Sequence, residues 1–120
     1  MMRSMLKAKI HRATVTEADL NYEGSLSIDQ TLLDRVGIEP FEQVKVYNIN
    51  NGARFDTYAI PAAAGSGIIG LNGAAARMGE VGDLIIIVTF AMYSQAELAD
   101  YQPRVVLLDK DNRIREWLYK

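Results

Sequence analysis

The chain has 120 residues, of which 49% are hydrophobic and 23% charged, and its formal net charge is −2. This length and composition are ordinary for one folded domain spanning residues 1–120, and the near-neutral charge argues against a nucleic-acid binder held by phosphate contacts. The lack of cysteine excludes disulfides, thiol catalysis and cysteine-based metal sites, and a single histidine cannot form a histidine-rich zinc site. Because no apolar run is long enough to span a membrane, we expect a cytoplasmic protein without a metal and without a membrane or nucleic-acid partner.

The N-terminal third predicts a strand and then a short helix. Residues 5–15 alternate between apolar and polar positions, so Lys9 and His11 should point in the same direction. Ser27 and Gln30 resemble a capping box at the start of a helix. The helix would bury an apolar stripe and end at a glycine, at positions Ile28, Leu32, Leu33, Val36 and Gly37.

The rest of the chain predicts short strands separated by turns. Asn51-Gly52 is a strong hairpin signal because both residues tolerate positive φ. Residues 16–19 read as a turn, and residues 72–77 read as a tight turn that opens one helical turn. The predicted later strands cover residues 43–49, 54–60, 68–71, 84–92 and 104–108, and a turn at Asp111-Asn112 leads into a last segment, residues 114–119. Six or seven short strands with two or three short helices favour a mainly β fold, a small closed β-barrel.

The dipeptide Gly24-Ser25 is a candidate for self-cleavage. A serine hydroxyl can attack the preceding carbonyl, and glycine lets that carbonyl adopt a strained conformation. A Gly-Ser pair is more often an ordinary turn. The dipeptide therefore indicates self-cleavage only in combination with other motifs.

Residues 54–58 concentrate polar groups on a predicted strand. Arg54 offers a forked cation suited to a carboxylate, Thr57 a hydroxyl donor and Tyr58 a phenol that can give a proton. Simple alternation places Thr57 on the opposite face from Arg54 and Tyr58, so Thr57 and Tyr58 would share a site only if the strand bends or two subunits contribute. The alternative is a surface strand on which Arg54 pairs with Asp56.

Residues 72–75 are the second candidate for ligand binding. Glycine and alanine allow a ligand to approach the backbone closely, and successive N–H groups at the start of a helix attract a carboxylate. An ordinary strand-to-helix turn would give the same pattern.

Five short motifs occur together and in one order: Lys9-x-His11-Arg12, Asn21-Tyr22-x-Gly24-Ser25, Asn51-Gly52-x-Arg54-Phe55-x-Thr57-Tyr58, Asn72-Gly73-Ala74-Ala75-Ala76 and Val81-Gly82-Asp83. The joint set is far more specific than any one motif. With it, essentially the whole chain resembles the bacterial pyruvoyl-dependent aspartate 1-decarboxylases.

The resemblance implies a six-stranded double-psi β-barrel with short helices, and a homotetramer with sites between neighbouring subunits. It implies conversion of L-aspartate to β-alanine and CO₂, which supplies pantothenate and coenzyme A synthesis. The implied cofactor is a covalent pyruvoyl group made from Ser25, which takes the place of pyridoxal phosphate or a metal.

The resemblance also implies roles for individual residues. Cleavage between Gly24 and Ser25, assisted by Thr57, would separate a β chain of residues 1–24 from an α chain of residues 25–120 that begins with the pyruvoyl group. This group forms a Schiff base with the substrate, and Tyr58 supplies a proton after CO₂ leaves. Substrate binding is implied for Lys9, Arg54, Thr57, Gly73, Ala74 and Ala75, with His11, Tyr22 and Asn72 supporting these groups.

Two other functions stay open at this point. One is a small non-enzymatic β-barrel that binds a partner, which would remain a single band on a denaturing gel. The other is a pyruvoyl decarboxylase for a different amino acid, which would share the cleavage and differ only in substrate.

Overall fold

The computed structural model describes residues 1–119, and it is mainly β with three short helices. The nine strands are β1 (Met2–Thr14), β2 (Glu17–Asp19), β3 (Ser25–Asp29), β4 (Gln43–Asn48), β5 (Arg54–Ala62), β6 (Ile69–Asn72), β7 (Leu84–Ser94), β8 (Arg104–Leu108) and β9 (Ile114–Tyr119). The helices are α1 (Gln30–Val36), a first 3₁₀ helix (Gly73–Arg77) and a second 3₁₀ helix (Glu97–Asp100).

Hydrogen bonds join the strands into one sheet in the order β2-β6-β3-β5-β4-β7-β1-β8-β9. The pairs β1–β8, β2–β6 and β3–β5 are parallel and the others antiparallel. Over the described part of the chain, no hydrogen-bonded pairing joins β2 to β9. The mainly β class with few short helices is therefore confirmed, whereas closure into a six-stranded barrel is not.

The sequence interpretation that a helix begins at Ser27 and Ile28 is wrong. These two residues belong to β3, which pairs with β5 on one side and β6 on the other. The helix cap is Asp29, whose carboxylate accepts a hydrogen bond from the N–H of Thr31 at 2.8 Å. The apparent capping box of Ser27 and Gln30 was misleading because two-sided strand pairing outweighed the local helix signal.

The predicted turn at residues 16–19 is also wrong. Glu17–Asp19 forms β2, which pairs in parallel with β6. All three residues are exposed, so this strand carries no alternation of apolar and polar residues that a sequence could reveal.

Strand β1 contains a bulge that the simple alternation did not predict. Arg12 has a positive φ of 63°, and the pairing with β7 shifts between Ile10 and Ala13. The extra residue returns Ala13 to the buried side with Ala8 and Ile10, opposite to the predicted face.

The predicted hairpin at Asn51-Gly52 is confirmed, since it joins β4 to β5 in antiparallel register. The predicted bounds of β8 also agree with the structure, and the last segment, residues 114–119, forms β9. Branched aliphatic side chains from most strands and from α1 form one buried core, whose largest fully buried members include Ile10, Leu26, Ile28, Leu33, Ile69, Leu71, Ile85 and Ile87.

Candidate active site

A cavity of about 470 Å³ lies where β3 and β5 diverge. The two strands pair in parallel from Leu26 opposite Ala59 onward. Among the described residues, the preceding part of β5, residues 54–58, pairs with β4 alone, so its other edge faces the cavity. The cavity is lined by Gly24, Phe55, Asp56, Thr57, Tyr58, Ala74, Ala75 and Met78.

The unpaired edge explains how Thr57 and Tyr58 reach one site. Neighbouring residues of a strand point to opposite faces, so alternation alone separates their side chains. A cavity that borders the edge of a strand can be reached from both faces, and both residues line it within a single chain. Sharing between subunits is not needed to bring these two residues together.

Ser25 is buried, with 1% of the residue exposed, and it directly follows Gly24, which lines the cavity. Its Oγ donates a hydrogen bond to the Glu23 carbonyl at 3.1 Å and accepts one from Asn72 Nδ2 at 3.0 Å. The same amide nitrogen donates to Ser27 Oγ at 2.8 Å. The Ser25 hydroxyl is therefore held beside the Gly24-Ser25 peptide bond by one hydrogen-bond acceptor and one donor.

The close backbone contact at this peptide bond involves Gly73. Its φ is +64°, and a Cβ atom at this position would lie 2.7 Å from both N and Cα of Gly24 and 2.9 Å from the Tyr22 carbonyl oxygen. Gly24 itself lacks a positive φ, and a Cβ there would meet nothing within 4 Å among the described residues. The residue that must be glycine for steric reasons is thus Gly73, which lies opposite the predicted cleavage site. The sequence had suggested that this residue was Gly24.

Arg54 lies in a second cavity of about 430 Å³, which adjoins the first and shares Phe55 and Asp56 with it. Its Cζ sits 3.8 Å from the centre of the Tyr47 ring, directly across the β4–β5 ladder. Asp56 is paired with Lys45 at 3.2 Å. The alternative in which Arg54 pairs with Asp56 is therefore not the observed arrangement.

Lys9 and His11 lie on β1, and neither lines the cavity that holds Thr57 and Tyr58. The Nδ1 atom of His11 is buried and has no hydrogen-bond partner among residues 1–119. Burial lowers the pKa of His11, and the positive charges of Lys9 and Arg12 lower it further, so this side chain is neutral at pH 7.

Tyr22 is exposed, and Asn72 contacts Ser25 without lining the cavity. Thus one chain brings together Gly24, Ser25, Thr57, Tyr58, Asn72 and the 73–75 backbone.

Sequence reasoning missed four residues at this site. Tyr47 could have been found, because the Asn51-Gly52 hairpin places it opposite Arg54. No sequence signal placed Phe55, Met78 or Ser27 at this site, since their positions depend on how separate strands pack.

Over residues 1–119 no group of three or more histidine or acidic side chains could hold a metal ion. No helix in the same range is long and apolar enough to cross a membrane.

The aspartate decarboxylase family model matches residues 1–115. An aspartate 1-decarboxylase of Syntrophobacter fumaroxidans is 68% identical over 113 residues, which cover 94% of this chain and 91% of the relative. The enzymes of the same name from Desulfotalea psychrophila and Bordetella avium are 60% and 59% identical, each over 97% of this chain and at least 95% of the relative. Because family model and relatives both span nearly the whole chain, this protein belongs to the aspartate decarboxylase family.

Proposed function

We propose that the chain is an aspartate 1-decarboxylase that cleaves itself between Gly24 and Ser25 and converts L-aspartate to β-alanine and CO₂. Family membership over nearly the full length supports the activity. The observation that carries the proposal is the buried Ser25 hydroxyl, held between Glu23 and Asn72 next to a cavity that contains Thr57 and Tyr58.

Self-cleavage begins when Ser25 Oγ attacks the Gly24 carbonyl carbon. The new C–O bond replaces the peptide C–N bond, and the hydroxyl proton ends on the released amine, which gives an ester. Loss of the Cα proton of residue 25 then breaks the Cβ–Oγ bond, so that Oγ leaves with residues 1–24 as their C-terminal carboxylate and a Cα=Cβ double bond forms at residue 25. Water replaces the nitrogen of the resulting dehydroalanine, ammonia leaves, and a pyruvoyl group remains at residue 25.

We assign Thr57 a role in the first of these steps. The attack turns the Gly24 carbonyl oxygen into an oxyanion, and Gly24 and Thr57 line the same cavity. One hydrogen-bond donor aimed at such an oxyanion lowers the barrier by roughly 3 kcal/mol. The hydroxyl of Thr57 is our candidate for that donor.

The site fits a small covalent group at residue 25, since the cavity begins at Gly24 and its walls at Ala74 and Ala75 are short side chains. Once formed, the pyruvoyl group supplies the electron-accepting carbonyl that allows the α-carboxylate to leave as CO₂, as pyridoxal phosphate does elsewhere. Tyr58 gives a proton to the carbon that has lost CO₂. Arg54 and Lys9 hold the side-chain carboxylate of aspartate, and the 73–75 backbone positions the rest.

The distribution of these residues supports a shared site. Arg54 lines the second cavity, which adjoins the first. Lys9 and His11 lie on β1, outside the first cavity. We therefore propose a homotetramer in which β1 of a neighbouring copy contributes Lys9, with His11 beside it. Closure of the sheet as a double-psi barrel and supply of β-alanine to pantothenate synthesis belong to the same proposal.

The test is mass spectrometry of the purified protein together with a denaturing gel. Wild type should give a fragment ending at Gly24 and one with a blocked N-terminus at residue 25, while Ser25→Ala should stay intact and inactive. Ser27→Ala is the matched control, because Ser27 bonds to the same Asn72 amide but lies away from the cleaved bond. An intact wild-type chain that releases CO₂ from aspartate would contradict the pyruvoyl mechanism.

Two further variants separate cleavage from turnover. Thr57→Val should slow cleavage most, whereas Tyr58→Phe should cleave normally and then turn over slowly, because the proton is needed only after CO₂ leaves. Normal turnover by Tyr58→Phe would remove Tyr58 from the proton-donor role.

The alternatives give different results. A single band without CO₂ release would favour the non-enzymatic binding module. Cleaved protein that prefers another amino acid would change the substrate and keep the chemistry.

A further inference from the structure

Phe41 has an unfavourable backbone conformation, and its side chain is not buried in a way that would compensate for the cost. It is the third residue of a turn closed by a hydrogen bond from the N–H of Glu42 to the Glu39 carbonyl at 3.0 Å, and its φ is +70°. With Pro40 at the second position this is a type II turn, whose third position favours glycine or asparagine. The Phe41 residue is 75% exposed, so packing in the core does not offset the strain.

The aromatic ring of Phe41 stacks on the ring of Tyr58. The two ring centres are 5.9 Å apart and the planes differ by 29°. Two backbone hydrogen bonds tie the turn to β5 beside Tyr58: the N–H of Phe41 donates to the Ala59 carbonyl at 2.7 Å, and the N–H of Ala59 donates to the Glu42 carbonyl at 3.0 Å.

An ion pair fixes the turn from the other side. Lys7 Nζ lies 2.7 Å from a carboxylate oxygen of Glu42, and the other oxygen accepts a hydrogen bond from the N–H of Glu39 at 3.0 Å. The turn therefore holds the ring of Phe41 at a fixed place relative to β5. Strain kept at an exposed residue next to a site is a recognised indication of function.

We infer that Phe41 is a positioning residue that restricts the Tyr58 ring so that its hydroxyl points into the cavity. The inference rests on the proposed function, because that function makes Tyr58 the proton donor. Tyr58 needs such support, since it lies where the edge of β5 is unpaired with β3. A stacked ring limits rotation of Tyr58 without taking up its hydroxyl.

The experiment compares Phe41→Gly, Phe41→Asn and Phe41→Tyr in the full chain. Glycine and asparagine remove the ring and accept the positive φ, so thermal unfolding should shift upward by about 2–4 °C. Cleavage after Gly24 should be unchanged, kcat for aspartate should fall about threefold to tenfold, and KM should stay the same. Phe41→Tyr keeps a stacking ring and should retain the kcat of wild type.

A double-variant cycle with Tyr58→Phe shows whether Phe41 acts through Tyr58. Once the hydroxyl is gone, its orientation no longer matters, so Phe41→Gly should lower kcat little further in the Tyr58→Phe background.

Three outcomes overturn the inference, and a fourth overturns the proposed function on which it rests. Unchanged kcat in Phe41→Gly, with an active wild type, refutes the positioning role and leaves the proposed function intact. A parallel fall in melting temperature and kcat would make Phe41 structural, and a smaller particle on size-exclusion chromatography would make it an assembly contact. A wild type that cleaves but does not decarboxylate aspartate would instead refute the proposed function.

Discussion

At the scale of single residues, Gly73 sets the tightest steric constraint on the proposed cleavage site. A Cβ there would lie 2.7 Å from two backbone atoms of Gly24, and backbone atoms cannot rotate away as a side chain does. Gly73→Ala should therefore displace the Gly24-Ser25 peptide bond, the bond that we propose Ser25 attacks. We expect little or no cleavage in a time over which wild type is complete, measured by the appearance of fragments on a denaturing gel.

The matched control for this prediction is Gly52→Ala. Gly52 has a similar φ of +78°, but a Cβ there meets nothing within 4 Å among the described residues. It therefore reproduces the cost of positive φ without the contact to Gly24. If both alanine variants cleaved at the wild-type rate, the contact at Gly73 would have no part in cleavage.

The Arg54–Tyr47 contact is a second constraint at this scale. The ring face of Tyr47 attracts the guanidinium at 3.8 Å and fixes its direction before substrate arrives. Tyr47→Leu should raise KM for aspartate about threefold to tenfold with kcat nearly unchanged, as expected for a cation–π contribution of about 0.5–1 kcal/mol or slightly more. Tyr47→Phe keeps the ring and should behave like wild type in steady-state CO₂ release.

Arg54→Lys tests the arginine itself, for comparison with the Tyr47 variants. Lysine retains the charge but loses the planar fork that binds both oxygens of a carboxylate. We expect kcat/KM for aspartate to fall tenfold to a hundredfold, since each 1.4 kcal/mol is a factor of ten, while cleavage at Gly24-Ser25 is unaffected. Wild-type kinetics in Arg54→Lys would show that Arg54 is not the carboxylate clamp.

At the scale of elements, one buried carboxylate joins three segments. Asp29, at the end of β3, accepts hydrogen bonds from the N–H groups of Thr31, Gly65 and Gly67 at 2.8–2.9 Å. Burial alone raises the pKa of this carboxyl group, but the hydrogen bonds from Gly67, Gly65 and Thr31 outweigh burial, and the net pKa is lowered. The charged carboxylate therefore stabilises the fold near the site.

The pH dependence follows from the sign of this shift. Because the folded pKa of Asp29 lies below the unfolded one, its contribution is present above the ordinary aspartate pKa of about 3.9 and is lost as the pH falls through the folded pKa. Asp29→Asn should lower the free energy of unfolding by about 1–3 kcal/mol at pH 7 and reduce the loss of stability on acidification. Exposed Asp34→Asn is the control in urea unfolding at pH 7 and at a pH well below the ordinary aspartate pKa, about pH 2. Equal urea unfolding curves for Asp29→Asn and wild type would refute the stabilising role of the Asp29 carboxylate.

The elements that the sequence predicted well are those set by local signals. The hairpin after β4 follows from Asn51-Gly52, and β8 and β9 follow from the turns at Pro103 and Asp111-Asn112. Strand β3 was missed because its parallel partner, residues 59–62 of β5, lies far away in the chain, while Ser27 and Gln30 imitate a helix start nearby.

The same reason limits what could be predicted of the site. Ser25, Thr57, Tyr58 and Asn72 were identified from motifs, but their convergence depends on where β3 and β5 part. Phe41 could not be identified as a site neighbour, since a phenylalanine after Pro40 gives no sign of a positive φ.

At the scale of the whole molecule, β1 and β7 form a long paired extension with apolar side chains on its surface. Met2 is opposite Ser94, Met92 opposite Ser4 and Phe90 opposite Leu6. Paired positions share a face, so Met2, Phe90 and Met92, each 44–56% exposed, form an apolar row. Such a row suits contact with another copy of the chain.

The last prediction tests whether that assembly completes the site. Phe90→Lys combined with Met92→Lys should reduce the size of the particle on size-exclusion chromatography, because charges would replace the apolar contact. Cleavage after Gly24 should continue, since Ser25, Asn72 and Thr57 meet within one chain. Decarboxylation should fall at least tenfold, because Lys9 of the neighbouring copy would be absent. Ile49→Lys, at an exposed apolar position in the β4–β5 hairpin, is the control. Full activity in a cleaved, dissociated variant would show that one chain holds the complete site and that Lys9 is not supplied by a neighbour.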